Sequence, residues 1–355
     1  MSTHPFLAGL QSNPDYLLQN FDLANRRALI VRVSEDLYRE ASFLDDRLFN
    51  PQMEGFWLPL ESVLQETSRL TAAAPHYIFH VGHCGSTLIS RLLAGLPGCL
   101  PLREPMALLT LAVARRELGR PGSWVSPAQW DQLLQTAMHT LARTYRDADR
   151  AIIKATSAAG NLLEVIGPQA DTDSRFLMMY IGLESMLALM LRTQGLRDSI
   201  HAYSPVWLAD FCRLTGRDDI NLAGLGDAQQ IAVKWLTLLL LFHRGKLAAP
   251  GRVRLLNFDD FLKRPTEQFA DIAALFRLEC DQEKARSLCG GPLMRAYSKI
   301  PAQNFDPAQR ERELQTARQQ FRSEIQIGLE WAETLCRETP ELEPEIGRAS
   351  CRVRV

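Results

Sequence analysis

Neither sign of charge dominates this chain. Its 355 residues carry 40 Lys and Arg against 41 Asp and Glu, which gives no basic footprint for a nucleic-acid partner. Long apolar runs are missing as well. The longest, Ile231 to Phe242, is interrupted by Lys234 and is too short to span a bilayer, so it reads as a buried core helix and no membrane partner is expected. Paired cysteine motifs are absent: Cys84, Cys99, Cys212, Cys280, Cys289, Cys336 and Cys351 include no Cys-x-x-Cys. The N-terminal Met1-Ser-Thr-His-Pro5 has no basic segment leading into an apolar core. Reduced thiols and a cytoplasmic location are the expectation.

A composition of 46% hydrophobic and 23% charged residues excludes disordered, collagen-like and disulfide-scaffold chains. It provides for a sizeable core. The last residues, 345–355, closely resemble a translated adapter sequence and are expected to be a non-native tail. Setting aside its three arginines and one glutamate leaves 37 basic and 40 acidic residues. Residues 1–344 read as one α/β domain, with 1–74 a mostly helical lead-in that has room for a strand at Ala28–Val33.

The strongest pattern is strand, tight loop, helix. Tyr77-Ile-Phe-His-Val81 is β-branched and aromatic enough for a buried strand. Gly82 to Gly85 is a loop. Leu88, Ile89, Leu92, Leu93 and Leu96 then recur at helical spacing until Pro97-Gly98. Further short apolar runs, Ala151–Ile153, Arg175–Tyr180 and Arg252–Asn257, precede helical patterns such as Glu184–Arg192 and Pro265–Phe276. Alternation of this kind predicts a central parallel sheet with helices on both faces. Pro307 to about Cys336 reads as a long charged amphipathic helix, with room for an interruption.

Glycines let a loop turn tightly and approach an anion, and free N–H groups at the following helix start point at it, helped by the helix dipole. Gly82, His83, Cys84, Gly85, Ser86 and Thr87 are therefore the candidate anion-binding residues; the alternative is a plain strand-to-helix turn. A Walker loop needs Gly where His80 stands and Lys where Ser86 stands, which counts against phosphoryl transfer. His76 and His80 share one strand face while His83 lies past its end. Such a set, even with Cys84, does not converge on a metal, and His80 reads as a core histidine.

At these residues the chain resembles the sulfotransferase family, whose strand-ending loop of the type (Lys/Arg)-Ser-Gly-(Ser/Thr)-Thr wraps the 5′-phosphosulfate of 3′-phosphoadenylyl sulfate (PAPS). The matching stretch is His83 to Thr87. Arg254 to Pro265, running on to Leu278, resembles the family's strand, acidic turn and closing helix. Ile153-Lys154-Ala-Thr-Ser157 resembles the lysine-bearing strand end of its tyrosylprotein-type and bacterial branches. The resemblance covers residues 76 to about 280 in order. It implies a P-loop-type fold, PAPS as donor with no metal, and a small-molecule or peptide acceptor carrying a hydroxyl or amine.

It also implies roles. Glu104 falls where the tyrosylprotein-type branch has its base, and is otherwise a helix-start carboxylate. Lys154 would neutralise charge in the crevice, or else be a salt-bridge partner at the sheet edge. His83 replaces the family's loop cation and would stabilise the leaving phosphate. Ile181 and Leu189 stand where the family's 3′-phosphate site has Arg and Ser. Arg192, Arg197, Arg295 and Lys299 are the candidates for that missing charge, each also readable as a solvated surface residue. A second reading is a non-catalytic or repurposed nucleotide-binding protein that has lost the 3′-phosphate site; a weaker third is a small-molecule kinase.

Overall fold

A computed structural model describes residues 4–70, 74–296, 306–339 and 342. Two sheets organise them. The first is antiparallel, in the order β1-β2-β3, with β1 at Tyr16–Asp22, β2 at Arg27–Arg32 and β3 at Gly55–Pro59. The second is the parallel sheet expected from the alternating pattern, in the order β5-β6-β4-β7-β8. Its strands are β4 His76–His80, β5 Cys99–Arg103, β6 Arg150–Lys154, β7 Phe176–Tyr180 and β8 Val253–Asn257. The lead-in is thus not mostly helical. It carries three strands between short helices, with Ala28–Val33 nearly coinciding with β2.

Burial explains why the inner strands form where they do. Every residue of β4 is buried, as is proper for a central strand flanked by parallel neighbours. Tyr77 stacks on Phe176 of β7 with centroids 5.4 Å apart. Helices flank this sheet. One of them, Asp227–Ala248, is buried along most of its length and includes the Ile231–Phe242 run. Trp235 pins it by donating its indole N–H to the Ile181 carbonyl just past β7, at 2.8 Å. The charged C-terminal stretch is two helices, Pro307–Gln320 and Arg322–Glu338, divided at Phe321. Among the described residues no helix is long and apolar enough to cross a membrane.

The order of the sheet fixes where a site can form. From β4 the chain runs to the edge strand β5, returns to β6, then crosses to β7 on the other side of β4. The C-terminal ends of β4 and its neighbours therefore bound the crevice at the reversal of strand order, where sheets of this type receive ligands. The loop Val81–Gly85, Glu104 and Lys154 all lie at those ends.

At the opposite end of β4, His76 is buried and stacks on Phe276 at 5.4 Å, and its Nδ1 accepts the Arg175 N–H at 3.2 Å. Burial pushes its pKa down from 6.5 to about 4. The unfolded chain then binds the proton more readily than the folded one. Stability is present above the unfolded value and declines as pH falls from about 6.5 toward 4, by up to about 3 kcal/mol. Urea unfolding across that range should show a shallower decline for His76→Gln, which keeps an acceptor for the Arg175 amide.

Candidate active site

The loop after β4 departs from ordinary backbone at three residues. Gly82, His83 and Gly85 take φ of 87°, 53° and 69°. Left-handed backbone of this kind turns successive N–H groups into a concavity suited to an anion. For His83 it costs of order 1–3 kcal/mol, a strain typical of functional turns. Gly85 is required twice over. Besides its φ, a Cβ there would fall 2.0 Å from the ring of Phe258, which follows β8. The helix Ser86–Ala94 starts immediately afterwards, with Ser86 and Thr87 buried in its first turn. Thr87 Oγ1 has no hydrogen-bond partner. Cys84 points away from solvent, its thiol donating to the Met179 carbonyl at 3.4 Å, and so packs the loop against β7.

Beside the loop, Glu104 and Lys154 form an ion pair. The backbone arranges it: Arg103 of β5 lies opposite Lys154 of β6, and the Glu104 N–H donates to the Lys154 carbonyl at 2.6 Å. Glu104 is left-handed too, with φ of 56°. Its carboxylate does not cap the helix Met106–Glu117, whose start carries no side-chain cap. Of the two readings of Lys154, the structure shows the salt-bridge partner, and its partner is Glu104.

His80 is buried as expected of a core histidine, and it also makes a contact with the site that sequence reasoning missed. Its Nδ1 accepts the Gly82 N–H at 3.0 Å, and its Nε2 lies 3.8 Å from Glu104 Oε1. The bond at Nδ1 assigns the proton of the neutral ring to Nε2, facing the carboxylate. A second residue missed by sequence reasoning is Lys234. Its Nζ lies 3.3 Å from where a Cβ of Gly82 would be, and Ser157 Oγ lies 3.7 Å from the same point. The interruption of the apolar run was the available signal. Nothing in the chain's order linked it to a loop 152 residues earlier.

The candidates for a 3′-phosphate cation are engaged in other contacts. Arg192 pairs with Glu313, Arg197 donates to the Leu191 carbonyl at 2.8 Å, and Arg295 donates to the Gly290 carbonyl at 3.0 Å. Lys299 lies outside the described residues, as does the 345–355 tail. Ile181 is buried and Leu189 partly so. Guanidinium groups reach the ends of β7 and β8 from the helix Pro307–Gln320 instead. Arg318 lies 3.3 Å from a Glu184 carboxylate oxygen, and Arg310 pairs with Asp259 at 2.9 Å. Among the described residues no group of three or more His, Cys, Asp and Glu side chains is placed to hold a metal ion.

No family model matches the chain, and no curated protein matches it. Among solved structures it is similar to the sulfotransferase domain from the curacin biosynthetic pathway, with 12% identity and a TM-score of 0.40 over 71% of this chain and 98% of that one. It is similar also to the sulfotransferase domain of the Synechococcus PCC 7002 olefin synthase, with 15% identity and a TM-score of 0.39 over 76% and 96%. A third is the sulfotransferase from Alicyclobacillus acidocaldarius, with 12% identity and a TM-score of 0.37 over 75% and 96%.

The contact between Gly85 and Phe258 makes the loop sensitive to a single methyl group. Gly85→Ala should destabilise the protein by about 2–6 kcal/mol, the sum of a left-handed φ and an overpacked ring. Chemical denaturation of the two proteins measures it.

Proposed function

We propose that the protein transfers a sulfuryl group from PAPS to a hydroxyl or amine acceptor. The observation that carries this reading is the convergence of a left-handed, glycine-bearing loop at a helix start with the Glu104–Lys154 pair, in the order of motifs seen in the sulfotransferase family. In this reading the loop amides, with Ser86 and Thr87, hold the 5′-phosphosulfate. The acceptor oxygen or nitrogen attacks sulfur in line while the bond from sulfur to the bridging phosphate oxygen breaks. The acceptor's proton passes to Glu104, and the charge released on the phosphate is met by Lys154 and His83. No metal is needed for this balance, since cationic side chains and amides meet the developing charge.

Ile181 and Leu189, standing in place of Arg and Ser, favour the second reading: a P-loop protein that binds a nucleotide or another anion without transferring sulfuryl. Calorimetry separates the two. A sulfotransferase should bind 3′,5′-adenosine bisphosphate more tightly than 5′-AMP; equal affinities would point to the non-catalytic protein.

Two variants test the assigned roles. Glu104→Gln should lower turnover by about 10²–10⁴ while leaving donor affinity nearly intact, because the loss belongs to the proton transfer. Equal losses in both would make Glu104 a structural residue. For His83, a bound dianion favours the imidazolium, so donor affinity should weaken as pH rises from about 6 to 8. His83→Lys should flatten that dependence, since the lysine ammonium stays charged across the range. A lysine variant with the same pH slope as the unaltered protein would remove His83 from the anion site.

A further inference from the structure

We propose that Lys234, on the central helix Asp227–Ala248, supplies the fixed positive charge that the loop after β4 lacks. The inference rests on the loop's being an anion site and assigns that site a cation from far along the chain. From Val81 to Ser90 there is no Lys or Arg. Arg91 is committed to the Glu40 carbonyl at 3.2 Å and to Ser42 Oγ at 2.8 Å. Lys154 stands outside the loop, paired with Glu104. Lys234 approaches the loop backbone itself, with its Nζ 3.3 Å from the position a Gly82 Cβ would take. Gly82, at φ of 87°, has no side chain to contest that space.

Lys234 is the one charged residue from Ile231 to Phe242, and its neighbours Val233 and Trp235 are fully buried. An ammonium that is only 7% exposed carries a desolvation cost, which an unbranched apolar side chain would avoid. The ring of Trp207 lies 6.0 Å from Nζ, at the limit of a cation–π contact.

An independent observation points to a ligand beside the same loop. Thr87, 3% exposed at the start of the loop helix, has a hydroxyl oxygen without a partner. A buried group left in that state calls for an explanation, and an oxyanion seated on the helix start supplies one. The ligand class that fits is a phosphate or phosphosulfate carrying at least two negative charges, met by loop amides, the Thr87 hydroxyl and the Lys234 ammonium together.

Calorimetry with inorganic pyrophosphate tests this on the full chain, because pyrophosphate reports the loop's cationic cradle and not the rest of a nucleotide site. Lys234→Met preserves length and removes the charge. Its pyrophosphate affinity should fall roughly ten- to a hundredfold, the worth of one charge-assisted contact, while its melting temperature stays level or rises. Unchanged affinity in both Lys234→Met and Lys234→Gln would overturn the role of Lys234 and leave the anion loop standing. Failure of the unaltered protein to bind pyrophosphate would overturn both. Should the variants not fold, a crystal of the unaltered protein with pyrophosphate decides: Nζ within hydrogen-bond reach of the anion supports the assignment, and no contact refutes it.

Discussion

The ion pair between Glu104 and Lys154 is the constraint around which the site is built. Lys154 is wholly buried, and the carboxylate against it offsets much of the desolvation cost of an ammonium so placed. The pairing of β5 with β6 supplies that carboxylate, because a backbone hydrogen bond from Glu104 to Lys154 joins the same two residues. The left-handed backbone at Glu104 belongs to the same arrangement, a conformation held by contacts on both sides of it. His80, at the end of the next strand, lies close to the same carboxylate oxygen, so β5, β6 and β4 each contribute one side chain to a single cluster.

Rigid elements hold that cluster from behind. Arg103, the residue before Glu104, is fully buried and donates to the Tyr38, Arg39 and Ala41 carbonyls and to Ser90 of the loop helix. Burial lowers its pKa to about 10, still far above neutrality, so it remains a cation. It ties the lead-in, the edge strand and the loop helix into one body. The Leu44 N–H donates to the Arg103 carbonyl at 2.6 Å and brings the chain after residue 41 alongside. Trp235 and Phe258 do the corresponding work on the other side, fixing the central helix to the end of β7 and closing over Gly85. Side chains held in this way by packing and outer hydrogen bonds can keep a geometry that an exposed loop could not.

Much of the central fold was legible because its signals are local. A buried parallel strand must be a short apolar run, and a helix must repeat at its own period, so β4, β6 and β7 could be read from their residues. β8, an edge strand buried only at Leu256, was still legible as a short apolar run before a helical pattern. The edge strand β5 was not. Pro101 stands in its middle and argues against a strand, yet an edge strand can dispense with one ladder donor. β1 was hidden by an irregularity between Leu18 and Asn20 that breaks its alternation. β3, Gly-Phe-Trp-Leu-Pro, has four of its five residues exposed and offers no buried face to read.

The sequence by itself determined the loop, its glycines, and the strand and helix on either side, since turn chemistry and periodicity depend on neighbours along the chain. It also placed Lys154 at the end of a short strand, and so at an end of the sheet, whereas Glu104 was singled out only by its place in the family resemblance. Tertiary structure alone decided that these two residues meet and that His80 faces them. The same holds for Lys234, which comes to lie beside Gly82 across 152 residues of chain. A buried charge has no local signature: its partner is chosen by sheet order and helix packing, and those follow from how the whole core closes.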